Sequence, residues 1–110
     1  MPQDDTIFLP IPLRFREKML KKELFEATRG DWNVDYARRR NIHYAVAVVS
    51  RRIKKVYNVT GWKRANEGKW KFCGAVMEEH NDLIDLITPG RSYGTIYYGD
   101  FSELMSLKSR

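Results

Sequence analysis

The sequence has one cysteine, Cys73, so no internal disulfide can form and stability has to come from packing. Histidine is almost as scarce. His43 and His80 stand far apart, and with one thiol they do not assemble a convincing zinc ligand set, so no metal is expected. Nor does any apolar run approach the roughly 18 residues that a membrane-spanning helix needs, which excludes a helical membrane protein. The start, Met1-Pro2-Gln3-Asp4-Asp5, puts acids where a secretory signal needs basic and then apolar residues, and a cytoplasmic protein is expected. Repeats, low-complexity tracts and linkers are all missing. The 110 residues therefore read as one domain, 1–110, and no cofactor is expected in it.

Acidic residues are nearly absent from the middle third. Between Arg38 and Phe72 lie Arg38, Arg39, Arg40, Arg51, Arg52, Lys54, Lys55, Lys63, Arg64, Lys69 and Lys71 against Glu67 alone, a balance of +10 within a net charge of +6. The flanks are mildly acidic, at −1 for residues 1–37 and −3 for residues 73–110. A block this basic repels itself, and a polyanionic partner would offset the repulsion. The plainer alternative is a solvated face that keeps the protein in solution. Tyr57, Trp62, Trp70 and Phe72 interleave with the cations, which favours nucleic acid because bases stack on such rings.

Periodicity places the elements. Thr6 to Leu9 reads as a first strand, stopped by Pro10 and Pro12. Phe15 to Thr28 reads as a helix ended by Gly30, and Asp35 as the cap of a short second helix through Arg40, with Trp32 and Val34 turned toward the core. Ile42 to Val49 is an apolar run suited to a central strand covered on both faces. Ile53, Val56, Tyr57 and Val59 mark the next strand, where broken alternation predicts a bulge, although Ser50-Arg51-Arg52 lacks the Gly or Asn of a tight hairpin. Gly61 to Gly68 reads as a loop, Lys69 to Met77 as a strand with Trp70, Phe72 and Val76 inward, Asn81 to Ile87 as helical turns and Thr95 to Tyr98 as a last strand. The expected fold is α+β: a small β-barrel or a strongly curved, mostly antiparallel sheet with flanking helices.

Leu24-Phe25-Glu26-Ala27-Thr28-Arg29-Gly30-Asp31-Trp32, then Tyr44-Ala45-Val46-Ala47-Val48, Val56-Tyr57, Trp62 and Trp70-Lys71-Phe72-Cys73-Gly74 form an ordered set. It resembles a family of small prokaryotic and phage proteins with the pattern LYEATRGxW, YAxAV, EVYxVxxW and RWxFxG, from about Phe8 to Tyr98. That family looks PUA-like, related to ASCH and EVE domains. The resemblance implies a small closed barrel that binds RNA, or an extruded modified DNA base, in a cleft at one end.

On this reading Trp32 and Trp62 are candidates for base stacking, Thr28 and Arg29 for hydrogen bonds, and Arg51, Arg52, Lys54, Lys63 and Arg64 for the phosphate backbone. Trp32 and Trp70 have an alternative place in the core, and Arg29 could instead pair with Glu26 or close its helix. Arg38, Arg39 and Arg40 are equally a solvated helix face or a phosphate clamp. His43 is expected as a satisfied interior histidine and Cys73 as a small buried residue. Two other classes compete. Some ASCH-like proteins hydrolyse an acylated cytosine nucleoside with Thr, Lys and Glu, for which Thr28, Lys22, Glu26 and Glu78 are available here. A basic module that docks on an acidic protein partner would need the same charges as a nucleic-acid binder.

Overall fold

The computed structural model of the chain describes residues 4–11, 32–65, 68–88 and 96–107. In chain order they form β1 (Thr6–Pro10), α1 (Tyr36–Asn41), β2 (Tyr44–Val49), β3 (Arg52–Asn58), β4 (Gly61–Arg64), β5 (Trp70–Cys73), a 3₁₀ helix (Glu78–Leu83), β6 (Tyr97–Gly99) and α2 (Phe101–Ser106). The helix expected over Phe15 to Thr28 lies outside the described residues, as do Thr28, Arg29 and Gly30. Among the described residues no helix is long and apolar enough to cross a membrane.

Four strands make one sheet in the order β3-β2-β1-β6, and β4 and β5 form a separate hairpin. β1 runs parallel to β2, with Phe8 beside Val46, and antiparallel to β6, with Phe8 opposite Tyr97. β2 and β3 are antiparallel, as are β4 and β5. The architecture is thus α+β with mostly antiparallel pairing. The closed barrel does not form among the described residues. One outer strand, β6, is only three residues long, and the outer edge of β3 is taken by isolated bridges, Tyr57 to Val76 and Arg52 to Ile87, which leave the two edges unjoined.

Both faces of the sheet are covered, which is why β2 is an unbroken apolar run. Ile7, Leu9, Ala45, Ala47 and Val49 point to one core with Val34, Ile42, Tyr57 and Phe72. Phe8, Val46 and Val48 point to the other, roofed by Leu83 of the 3₁₀ helix and Leu104 of α2. Pro10 sits inside β1 without breaking a ladder. Successive N–H groups alternate between edges, Ile11 donates to Val48 at 2.8 Å, and β6 stops at Phe8, so the missing donor of Pro10 falls where no strand pairs.

The expected bulge is present. Ala47 faces Lys55 but Val48 faces Ile53, so Lys54 is the extra residue, and the parity change lets Ile53 and Val56 share one core while Tyr57 enters the other. The β2–β3 connection is a two-residue turn in which Ser50 and Arg51 both take positive φ, 51° and 68°, so a primed hairpin turn forms without Gly or Asn. Gly74 has a stricter reason to be glycine: a Cβ there would lie 1.8 Å from the Asn58 carbonyl oxygen. That close approach locks β3 to the segment after β5, with Asn58 donating to Ala75 at 3.0 Å and its side chain accepting from Ala75 at 2.6 Å.

Candidate nucleic-acid interface

The basic third of the sequence is divided between two ends of β3. Arg51, Arg52 and Lys54 stand at its start. There Arg52 donates to the Asp85 carbonyl at 2.7 Å and the Lys54 ammonium lies 3.6 Å from the Asp85 carboxylate, so this group is occupied locally. Lys63 and Arg64 follow its far end, beyond a seven-residue strand of about 20 Å at the usual rise. The seven described candidates read from the sequence therefore do not converge on one place, and Thr28 and Arg29 are not among the described residues.

The far end gathers a different set. α1 starts at Asp35, whose carboxylate accepts from the Arg38 backbone at 2.9 Å, an ordinary N-cap. With no acid in its first turn and Arg38, Arg39 and Arg40 in its last, α1 projects three guanidinium groups from six residues. Each lies over a ring. Arg38 is 4.2 Å from the centre of Tyr98, Arg39 is 3.7 Å from Trp70, and Arg40 is 5.7 Å from Tyr36. Arg38 also pairs with Asp4 at 2.6 Å, and Arg39 donates to the Val34 carbonyl. Stacking leaves in-plane N–H groups of a guanidinium free to point outward, which is how arginine serves phosphate and base edges. Tyr36 itself is 68% exposed.

The β4–β5 hairpin completes this face. Its register puts Trp62 opposite Phe72, Lys63 opposite Lys71 and Arg64 opposite Trp70. The segment read as a loop from its two glycines is a strand up to Arg64, and this fixes where its tryptophan points. Trp62 packs against the Ile7–Leu9 core, edge-on to Phe72 at 6.2 Å, with its indole nitrogen buried and without a hydrogen-bond partner among the described residues. Trp70, expected inside, instead carries Arg39 on its face, has Arg64 at 5.8 Å and lines an open pocket of about 410 Å³. Residue parity along β5 is right, but the core ends at Phe72 and Trp70 projects past it. Both rings are half-buried, Trp62 on the core side and Trp70, contrary to expectation, on the pocket side. Trp32 is half-buried against the core and exchanges two 2.8 Å backbone bonds with Trp70, so it braces that ring from the neighbouring segment.

Among the described residues, no carboxylate pairs with Arg39, Arg40, Lys63, Arg64, Lys69 or Lys71. Lys63 and Lys71 lie directly opposite each other, an arrangement that opposes hairpin stability. The acids gather instead around the start of α2, where Asp5 accepts from the Phe101 backbone at 2.8 Å. Loss of hydration raises the pKa of Asp100 there, and the nearby charges of Asp5, Asp4 and Glu103 raise it further. In the pocket, burial holds the Tyr98 hydroxyl above the usual phenol value; Arg38 opposes that shift and Asp35 adds to it. Tyr98 is therefore an uncharged donor at neutral pH.

Two other assignments change. His43 is exposed rather than interior, with its backbone carbonyl accepting from Val59 at 2.8 Å, and Cys73 is half-buried. Of the groups considered for hydrolysis, Thr28, Lys22 and Glu26 lie outside the described residues, and Glu78 is exposed and accepts from the Asn81 side chain at 2.6 Å. No cluster of His, Cys, Asp or Glu suited to a metal occurs among the described residues.

Sequence reasoning noticed Arg38, Arg39 and Arg40 without deciding their role, and it missed Trp70, Tyr98 and Tyr36. A usable signal was present in the alternation of Trp70-Lys71 against Lys63-Arg64, had the hairpin register been known. No family model matches the chain, and neither a curated protein nor a solved structure matches it.

Proposed function

We propose that this protein binds single-stranded nucleic acid along the face made by α1 and the β4–β5 hairpin. The observation that carries the reading is the Arg39–Trp70 stack at 3.7 Å, with Arg64 beside the same ring and the facing lysines Lys63 and Lys71 adjacent in the hairpin. Planar groups offer stacking surface to unpaired bases, each contributing about 1–3 kcal/mol, and the surrounding cations neutralise phosphates. A bound strand would also relieve the Lys63–Lys71 repulsion, so charges that weaken the isolated hairpin stabilise the complex. The kinship to PUA-like domains carried by the Glu26-to-Trp32 and Trp70-to-Gly74 motifs belongs to the same proposal, with RNA or a strand bearing an extruded base as the natural ligand.

The test is a salt-dependent titration of fluorescent single-stranded RNA and DNA. With Arg40, Lys63, Arg64 and Lys71 each meeting a phosphate, log affinity falls against log salt with a slope of about −3. Lys71→Ala reduces that slope by roughly 0.7, whereas Arg52→Ala at the opposite end of β3 leaves it unchanged. Binding that ignores salt, or that weakens equally in Arg52→Ala, overturns the assignment.

A further inference from the structure

The pocket beside this face has a chemical character that a phosphate cradle would not need. It is lined by Asn33, Asp35, Arg38, Arg39, Trp70 and Tyr98, with two aromatic rings each carrying a guanidinium. Its volume of about 410 Å³ suits one nucleotide and falls within the usual range for small-ligand sites. A pocket for phosphate alone would hold cations only. Here a carboxylate lines it as well: Asp35 spends Oδ1 on the Arg38 backbone, and Oδ2 has no partner among the described residues.

A fork of donors next to an acceptor matches one base. Guanine shows two acceptors, O6 and N7, on one edge, which is the pattern an arginine fork meets, and two donors, N1–H and the N2 amino group, on the adjoining edge, where a carboxylate accepts. Adenine places its N6 donor against the fork, and pyrimidines have no N7. Arg39 is the better reader of the two arginines. Its guanidinium carbon lies 3.7 Å over the Trp70 ring with one N–H given to the Val34 carbonyl, whereas Arg38 is committed to Asp4. We infer that this pocket is a guanine site, with Arg39 reading the O6/N7 edge, Asp35 the N1/N2 edge, and the rings forming its walls. The inference rests on the single-strand reading above and adds base selectivity to it.

The experiment titrates the full chain with oligothymidine strands that carry one deoxyguanosine, deoxyadenosine or deoxycytidine, or no substitution. The guanine strand is expected to bind about 5- to 150-fold more tightly, the discrimination of one good bidentate contact. Replacing the guanine by 7-deazaguanine removes N7, and replacing it by hypoxanthine removes the N2 amino group; each loses part of the preference. Guanosine monophosphate competes for the strand and adenosine monophosphate does not. Arg39→Lys keeps the charge but not the fork, so it retains salt-dependent binding and loses the guanine preference. Asp35→Ser keeps a good helix cap, confirmed by an unchanged circular dichroism spectrum, and no longer distinguishes guanine from hypoxanthine. Equal affinity for all four strands overturns the guanine site while leaving strand binding intact. A guanine preference that survives both substitutions also overturns it, and absence of binding to every strand overturns the parent reading with it.

Discussion

Trp62→Ala and Trp70→Ala separate scaffold from surface, because the two rings sit in one hairpin yet face different surroundings. Trp62 packs against the Ile7–Leu9 core and Phe72, so its removal leaves a cavity. Large aromatic truncations in cores cost about 3–5 kcal/mol, and a half-buried ring belongs at the low end, near 3 kcal/mol. For a domain of this length the unfolding entropy is about 0.23 kcal/mol/K, so the melting temperature falls by roughly 13 °C. Trp62→Phe refines the point. It keeps an aromatic ring against Phe72 and deletes the buried, unpartnered indole N–H, whose burial costs about 1–3 kcal/mol, and the two changes nearly cancel. Trp70→Ala loses the stack with Arg39 and partial burial, about 1–2 kcal/mol, which lowers melting by only about 4–9 °C. Binding ranks them in reverse, with Trp70→Ala weakening a single strand by about 5- to 150-fold and Trp62→Phe leaving it unchanged. The assay is a thermal melt by circular dichroism paired with an anisotropy titration of each variant. A larger melting loss for Trp70→Ala than for Trp62→Ala would refute this division of the two rings.

Three further outcomes follow from the backbone and from one carboxylate. Gly74→Ala must push the Asn58 carbonyl away by more than 1 Å to bring a 1.8 Å approach to tolerable contact. Both hydrogen bonds between Asn58 and Ala75 are then lost, and a destabilisation of about 3–4 kcal/mol is expected in urea unfolding; a loss below about 1 kcal/mol contradicts the close approach. Putting Asn-Gly at Ser50-Arg51 supplies residues that accept positive φ at both turn positions, and denaturant melts should show a gain of about 1–2 kcal/mol with nucleic-acid affinity unchanged. Asp100 has a raised pKa in the folded chain, so it contributes stability at low pH that is lost as pH rises through that value. Asp100→Asn should accordingly raise the melting temperature at about pH 7 and leave it nearly unchanged at about pH 3, and equal shifts at both pH values would argue against charge as the cause.

Local patterns in the sequence carried much of the sheet. The apolar run from Ile42 to Val49 identified a strand covered on both faces, observed over Tyr44–Val49, the broken alternation at Ile53 and Val56 signalled a bulge, which falls at Lys54, and Asp35 marked the cap of α1. Two features were hidden for a physical reason. The parallel pairing of β1 with β2 joins residues far apart in the chain, and nothing in either strand states the direction of its partner. At the site, counting charges along the chain merged Arg52 with Arg64, although β3 carries them to opposite ends. Glycines at positions 61 and 68 suggested a loop, but Gly61 opens a strand opposite Cys73 and only Gly68, at φ 76°, has turn geometry. With the strand unrecognised, Trp62 could not be assigned to a face.

The position of β1 between β2 and β6 bears on how the chain folds during synthesis. Phe8 meets Val46 on one side and Tyr97 on the other, so the central strand is synthesised about 90 residues before its last neighbour. The β2–β3 hairpin closes locally through its two-residue turn and can form while the chain is still growing, whereas β1 waits with one edge open. Through that interval an apolar strand, Ile7-Phe8-Leu9, presents unpaired backbone groups to any neighbouring chain. Ribosome stalling before Tyr97, or a truncation that removes β6, should therefore turn a central strand into an exposed edge prone to aggregation.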